Sequence, residues 1–165
     1  ITLVEQAVGA TPGTARLFLS ARTPTVSSLS PAWIAATQRE RGFEQVRWDD
    51  AMPVPVTTLD QLIAAHGLPA FCKIDVEGYE LNVLQGLTQP IRVLSFEYLR
   101  AHLDAARACV AYLAALGPYE FNGSVGEAQR LRAPTWLDTD ACLAWLDTLA
   151  GLGDSGDIYA RLRTT

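Results

Sequence analysis

Hydrophobic and polar positions alternate between strand-like and helix-like spacing over the second half of the chain. Short apolar runs at 70–74 and 91–98 are typical of buried strands. Apolar residues recur at helical spacing in 79–85 and again from Leu103 to a stop at Gly117. This alternation predicts an α/β fold with a mostly parallel sheet and helices on both faces.

The first third of the chain gives a less regular pattern. Residues 1–8 are rich in strand-forming side chains, and after a Thr-Pro-Gly turn residues 15–19 supply a second strand, so we expect a hairpin or bent strand pair. The Ser, Thr and Pro content of 20–31 is typical of a loop. A short helix is predicted at 33–38, and the weak periodicity from there to Pro55 predicts no element.

Helix termini carry recognisable caps. Thr58 followed by Gln61 forms a capping box, and Gly67 ends the helix that it begins. Asp138 is placed to cap a later helix, and residues 158–162 alternate as a half-buried strand.

Composition indicates one soluble domain spanning residues 1–165. The chain is 49% hydrophobic with a formal net charge of −5, and its thirteen basic residues are scattered, so we expect no nucleic-acid partner. Its apolar runs are too short to cross a membrane. Three well-separated cysteines among apolar residues predict reduced thiols and a cytoplasmic location. The chain opens without Met in a strand-like run, so we expect a preceding segment.

Acidic residues follow the two central strands. Asp75 and Glu77 come after the first, and Glu97 with Tyr98 ends the second, so three carboxylates are expected at one rim of the sheet. Such a cluster suits a general base or a hard-metal site. For Glu77 the alternative is a charge that favours the start of the next helix.

Three further ionisable residues are predicted to be structural. Lys73, the only lysine, is expected to form an ion pair with Asp75 or Glu97. His66 and His102 are predicted to lie at the surface, because neither is spaced with an acid or a cysteine as a catalytic triad requires.

A long motif adds a resemblance to these observations. Residues 56–60 read VTTLD and residues 73–86 read KIDVEGYELNVLQG. This pattern resembles the FkbM-type methyltransferases, with weaker matches at 7–9, 95–97 and 156–161. The resemblance implies a Rossmann-like class I sheet and S-adenosylmethionine-dependent O-methylation of a sugar or polyketide-type hydroxyl.

The resemblance also implies roles for particular residues. Asp75 and Glu77 would be catalytic, with Asp75 as base or orienting acceptor beside the transferred methyl group. Glu97 and Tyr98 would bind the small-molecule acceptor. No metal ligand is assigned.

The chain departs from the family at its start. The family's D-x-G-A-N turn and its second strand ending in E-P are absent, which predicts a sheet truncated by its first two strands. Gln6, Ala7 and Val8 would then at most edge the adenine, and the chain alone is expected to bind S-adenosylmethionine poorly and not to turn over. The strand at 70–75 would keep an open edge that could form a homodimer.

Two other functions remain open. The first is a catalytically silent domain that uses the same rim to bind a glycan or a protein. The second is a divalent-metal-assisted transferase that uses Asp75, Glu77 and Glu97.

Overall fold

Seven strands and five α-helices make up the part of the chain that the computed structural model describes, residues 1–40, 42–128, 130–149 and 155–163. The strands are β1 (Ala7–Val8), β2 (Gly13–Leu19), β3 (Asp50–Thr57), β4 (Cys72–Ile74), β5 (Val93–Leu99), β6 (Tyr119–Gly123) and β7 (Ser155–Leu162). The helices are α1 (Pro31–Thr37), α2 (Leu59–His66), α3 (Glu80–Gln85), α4 (Leu103–Leu116) and α5 (Thr139–Asp147). Short 3-10 helices lie at Pro24–Val26, Arg100–His102 and Gly126–Ala128.

The first sheet has the order β1-β3-β2. β1 pairs with β3 in parallel and β2 pairs with β3 antiparallel, so the predicted strand pair between residues 1–8 and 15–19 is wrong. The strand that joins them, β3, was not predicted. It contains Pro53 and Pro55, which have no N–H to donate to a ladder and argue against a central strand in the sequence.

The second sheet has the order β4-β5-β7-β6. Only β4 and β5 are parallel in it, because β7 runs antiparallel to both β5 and β6. The prediction of one mostly parallel sheet is therefore wrong, and the described strands form two mixed sheets. The late antiparallel strand β7 lies between two strands that precede it in the chain.

The helices α3, α4 and α5 pack on one face of this second sheet. The shared core contains Leu84 of α3, Val110 of α4, Leu146 of α5, and Phe96 and Ile158 of the strands, all of them fully buried. The opposite face of the same strands carries polar and charged side chains. The described helices α3 to α5 thus cover one face, where the sequence predicted helices on both.

The predicted helix caps are confirmed. Thr58 accepts a hydrogen bond from the Gln61 backbone N–H at 3.1 Å, and Asp138 accepts one from Ala141 at 2.9 Å. The Gln61 side chain does not complete a capping box, because it accepts from the Thr57 hydroxyl instead. Gly67 ends α2 with a φ of 86°, which favours glycine.

The three cysteines are free thiols, as predicted. Cys109 and Cys142 are buried in the core, and burial raises the pKa of both, so these thiols are protonated and unreactive at neutral pH. Among the described residues, the helices are all too short or too polar to cross a bilayer.

Candidate functional site

A tight turn after β4 presents the first two carboxylates of the site. Glu77 has a φ of 52° and Gly78 a φ of 84°, so two consecutive residues adopt left-handed backbone conformations. At Gly78 an added Cβ would lie 2.2 Å from the Trp33 ring, so only glycine fits there. The turn thereby reverses the chain before α3 begins and projects Glu77 from the rim of the sheet.

Glu80 holds this turn from inside. Its buried carboxylate accepts hydrogen bonds from the backbone N–H groups of Val76 at 3.3 Å and Gly78 at 3.2 Å. Burial raises the pKa of Glu80, and these bonds to the charged form oppose that shift. Glu80 was not among the predicted site residues; its signal in the sequence is an acid three residues after Glu77, at the first position of a helix.

Three carboxylates meet at the rim, as the strand ends predict. One oxygen from each of Asp75, Glu77 and Glu97 can be chosen so that all lie within 4.8 Å of one another. Asp75 is exposed, whereas the other two are half-buried. The N-cap residue of α3 is Tyr79, and no side chain makes a cap bond there, so Glu77 does not cap the helix through a hydrogen bond. The alternative that its charge favours the start of α3 stays a prediction.

The cluster changes the proton affinity of its half-buried members. Burial, followed by the charges of Asp75 and Glu80, raises the pKa of Glu77 to about 7. Burial, followed by the charges of Glu77 and Asp75, raises the pKa of Glu97 to about 8. Both groups therefore exchange a proton near neutral pH, which is the range in which a general base is most effective.

Lys73 is anchored beside the cluster rather than within it. Its ammonium contacts Asp157 at 2.7 Å and Asp75 at 3.3 Å, so the predicted ion pair with Asp75 is confirmed and the stronger partner is a residue of β7. Burial lowers the pKa of Lys73, but the hydrogen bond and charge of Asp157, aided by Asp75, outweigh it and raise the pKa overall. The lysine orients Asp75, and its charge also lowers the pKa of Glu97, by less than burial and the neighbouring carboxylates raise it.

The segment before and within α1 covers the turn. The Ser28 hydroxyl donates to the Glu77 backbone carbonyl at 2.6 Å. The Trp33 ring lies edge-on to both Phe43 and Trp48, with ring centroids 6.1 and 5.9 Å apart. This aromatic cluster fixes the side chain that packs on Gly78.

The remaining predicted site residues do not belong to the carboxylate cluster, although Tyr98 lines a cavity of about 160 Å³ that Glu97 also lines. The Tyr98 side chain is buried beside Trp145, and its hydroxyl donates to the Ser124 carbonyl at 3.0 Å. Gln6 and Ala7 line a surface hollow of about 230 Å³ that is separate from the carboxylates. Val8 packs against the core. The structure thus gives Tyr98 a structural hydrogen bond, and its contact with an acceptor stays a prediction.

The two histidines differ from each other. His66 is exposed at the end of α2, as predicted. His102 is half-buried rather than fully at the surface: its Nε2 atom is buried, and the residue helps to line a cavity that Glu97 also lines. The sequence contains no signal of this cavity, because part of its wall comes from Trp33 and Gly78, which are distant from His102 in the chain.

Comparisons with known proteins identify the family of the chain. A sequence model described as "Methyltransferase FkbM domain" matches residues 1–129. The hexuronic acid methyltransferase AglP of Haloferax volcanii is 31% identical over 77 residues, which cover 46% of this chain and 30% of that protein. The match therefore spans less than a third of that relative's length. No solved structure matches the chain.

Proposed function

The chain belongs to the FkbM methyltransferase family, and from this premise we propose that it forms a portion of an S-adenosylmethionine-dependent O-methyltransferase that acts on a hydroxyl of a sugar or natural-product acceptor. The observation that carries the proposal is the meeting of Asp75, Glu77 and Glu97 within 4.8 Å at one rim. A sugar is the favoured acceptor class because the similar archaeal protein is named as a hexuronic acid methyltransferase.

The charge of the rim fits the proposed methyl donor. S-adenosylmethionine supplies a methyl group activated by a positively charged sulfonium. The residues at the rim are acidic, and the nearest lysine is already committed to two aspartates. The negative potential of these carboxylates stabilises a positively charged sulfonium placed beside them, because water screens the charges of half-buried groups incompletely.

The three carboxylates divide the work of the reaction in this proposal. Methylation of an alcohol releases the hydroxyl proton, and Glu77 accepts it, because its pKa of about 7 leaves a substantial basic fraction at neutral pH. Asp75, held by Lys73, orients the acceptor oxygen. Glu97 carries a proton over much of the neutral range, so it can donate a hydrogen bond to the acceptor.

The test is a methyl-transfer assay with labelled S-adenosylmethionine, neutral glycosides and uronic acids, using the protein expressed from its intact gene. Loss of the base is expected to lower kcat by about 10²- to 10⁴-fold in Glu77→Gln. Asp75→Asn should lower kcat as well. Asp140→Asn, at an exposed position on α5, is the matched control and should retain activity.

The pH dependence of the methyl-transfer rate distinguishes general-base catalysis by Glu77 from a rim that is only negatively charged. The rate of the wild-type protein should fall as the pH drops below about 7, because Glu77 becomes protonated. Glu77→Gln should lose this limb of the profile. Methyl transfer by Glu77→Gln at the wild-type rate and pH dependence would overturn the assignment.

A divalent cation is the second candidate for the same carboxylates, since their oxygens are close enough together to share one ion. A chelator distinguishes the two mechanisms. Activity that survives chelation supports the carboxylate base, whereas activity that is lost and then restored by Mg²⁺ supports the metal-assisted reaction. Glycan binding without methyl transfer to any acceptor would instead identify a silent binding domain.

Gln6, Ala7 and Val8 are the proposed contacts for the adenine. Their support is the position of the end of β1, where a Cβ added to Gly9 would lie 3.3 Å from the Tyr79 ring. Tyr79 is two residues beyond Glu77, so β1 ends close to the acidic turn. We expect Ala7→Trp to raise the KM for S-adenosylmethionine more than the KM for the acceptor.

We also propose that the open edge of β4 pairs with a second copy of the chain. Among the described strands, β4 pairs with β5 alone. Phe71 and Leu68, next to this edge, are exposed. Light scattering should give a dimer mass, and Phe71→Glu should reduce that mass to a monomer's without unfolding the chain, because a charge at an exposed position beside the edge disfavours pairing with another strand. A wild-type monomer would contradict the pairing.

A further inference from the structure

A cavity of about 160 Å³ lies directly beside the acidic rim. Its lining includes the polar residues Ser30, Glu80, Glu97, Tyr98 and His102 and the apolar residues Trp33 and Cys109. Because Glu97 belongs both to this cavity and to the carboxylate cluster, a molecule in the cavity would have one end at the proposed reaction centre. The mixed lining suits a compound with hydroxyl groups on a carbon ring better than a purely apolar one.

His102 is the unusual member of this lining. Its Nε2 atom is buried and has no hydrogen-bond partner among the described residues. A neutral imidazole nitrogen either donates or accepts one hydrogen bond, and a buried nitrogen that makes none is costly to keep. An incoming hydroxyl group can serve either state of the nitrogen, since it is both donor and acceptor.

The acidic residues around the cavity favour uncharged hydroxylated molecules over anionic ones. Glu80 and Glu97 line it, and Asp75 and Glu77 stand beside Glu97. Lys73, the cation nearest to Asp75, is already shared between two aspartates. An anionic group placed here would meet like charges in a half-buried site, whereas an uncharged polyol would not.

Resting on the proposed function, we propose that this cavity holds a neutral polyhydroxylated acceptor, such as a hexoside, and that His102 Nε2 hydrogen-bonds a hydroxyl neighbouring the one to be methylated. His102 is then a residue that determines which acceptor fits and how it is oriented. The named relative acts on hexuronic acids, so the proposal separates this chain from that protein in the charge of its acceptor.

The two histidines of the chain allow a direct binding test. NMR spectra of the histidine-¹⁵N-labelled chain report on His102 and on the exposed His66 in the same sample. Adding methyl glucoside should shift the His102 ring nitrogens in a saturable way and leave those of His66 unchanged. His102 signals that stay fixed at the highest soluble sugar concentration, or equal shifts of both histidines, would overturn the proposal.

Variants test whether the methyl glucoside that shifts the His102 signals is bound in the cavity. His102→Ala should lose saturable binding of methyl glucoside, while His66→Ala should bind as the wild type does. His102→Gln keeps a polar group of similar reach, and it should retain part of the affinity. If His102→Ala does not fold, the wild-type titration and His102→Gln still decide the outcome.

A charged sugar tests the selectivity. Methyl glucuronide differs from methyl glucoside by a carboxylate, and we expect it to bind at least tenfold more weakly. Asp75→Asn, which removes a negative charge beside Glu97, should narrow this difference in affinity. Equal or tighter binding of the glucuronide would overturn the neutral-acceptor assignment.

The outcome is distinguishable from that of the proposed function. Saturable sugar binding at His102 without methyl transfer to any acceptor supports the cavity and contradicts the enzyme. Methyl transfer to sugars with an unmoved His102 supports the enzyme and contradicts this cavity as the acceptor site.

Discussion

The two faces of the four-stranded sheet are made by alternate residues of the same strands, and they differ in almost every physical property. On one face Leu94 and Phe96 of β5 are fully buried beneath the helices. On the other face Ser95 pairs in register with Lys73 of β4, and Glu97 pairs with Asp157 of β7. Adjacent residues of β5 therefore lie alternately in the hydrophobic core and on the face of the candidate site, because successive side chains of a strand point to opposite faces.

This difference teaches where the fold obtains its stability and where it places its reactive groups. Burial of apolar side chains supplies the main favourable free energy of folding. The charged face instead holds carboxylates in partly buried positions, where two of them have pKa values of about 7 and 8. Such groups reduce stability at neutral pH, and a site that exchanges protons near pH 7 requires them.

The largest effect is expected from the core face. Phe96→Ala removes a fully buried ring and should lower the free energy of unfolding by about 3–5 kcal/mol. Leu131→Ala, at a position that is 42% exposed, is the matched control and should change it by about 0.5 kcal/mol or less. Urea denaturation measures both. Equal losses in the two variants would show that the apolar face is not the main source of stability.

A smaller effect of opposite sign is expected on the charged face at Glu97. Its pKa of about 8 in the folded state lies above the ordinary value of 4.5, so the folded chain holds the extra proton between these two pH values. Stability should therefore fall as the pH rises from 4.5 to 8. Glu97→Gln should remove this part of the slope, and at pH 8 should be more stable than the wild type by at least about 1.4 kcal/mol, the equivalent of one pKa unit.

The control for this pH dependence is Glu5→Gln, at an exposed position near the start of the chain. It should follow the wild-type stability at every pH. Parallel curves for the wild type and Glu97→Gln would contradict the raised pKa and, with it, the half-buried placement of that carboxyl group.

Ser95 should give the next effect in size. It is 1% exposed, and its hydroxyl makes no hydrogen bond within the described part of the chain. Removing an unsatisfied buried polar group relieves its desolvation cost, so Ser95→Ala should stabilise the chain by about 1 kcal/mol. Calorimetry measures the change. A loss of stability instead would mean that the hydroxyl has a partner, such as a bound water.

Local signals in the sequence were enough to predict much of this fold. Thr58 and Asp138 cap helices through residues only three positions away, so their neighbours in the chain decide the outcome. β3 was missed because Pro53 and Pro55 disfavour a central strand, and pairing with two distant strands outweighs that preference. The place of β7 depends likewise on contacts that no short segment contains.

The candidate site likewise contains features that the sequence predicts and features that it does not. The convergence of Asp75, Glu77 and Glu97 was predictable, because the first two follow β4 and Glu97 lies near the end of the neighbouring parallel strand β5. The partnership of Lys73 with Asp157 was not, since it requires the insertion of β7 beside β5. The buried nitrogen of His102 was hidden for the same reason, because its cavity is assembled from separate elements.

The smallest effect is expected at the Lys73 ion pair, which tests whether the charged face contributes to stability at all. The Lys73 side chain is 47% exposed, so solvent screens its contacts with Asp157 and Asp75. Lys73→Met should therefore lower the free energy of unfolding by only about 0.5 kcal/mol. The difference from the wild type should shrink further in 1 M salt, where charges separated by more than about 3 Å are screened. A loss above about 2 kcal/mol that persists in salt would mean that the charged face, like the core face, holds the fold together, because so large a cost exceeds that of an exposed pair.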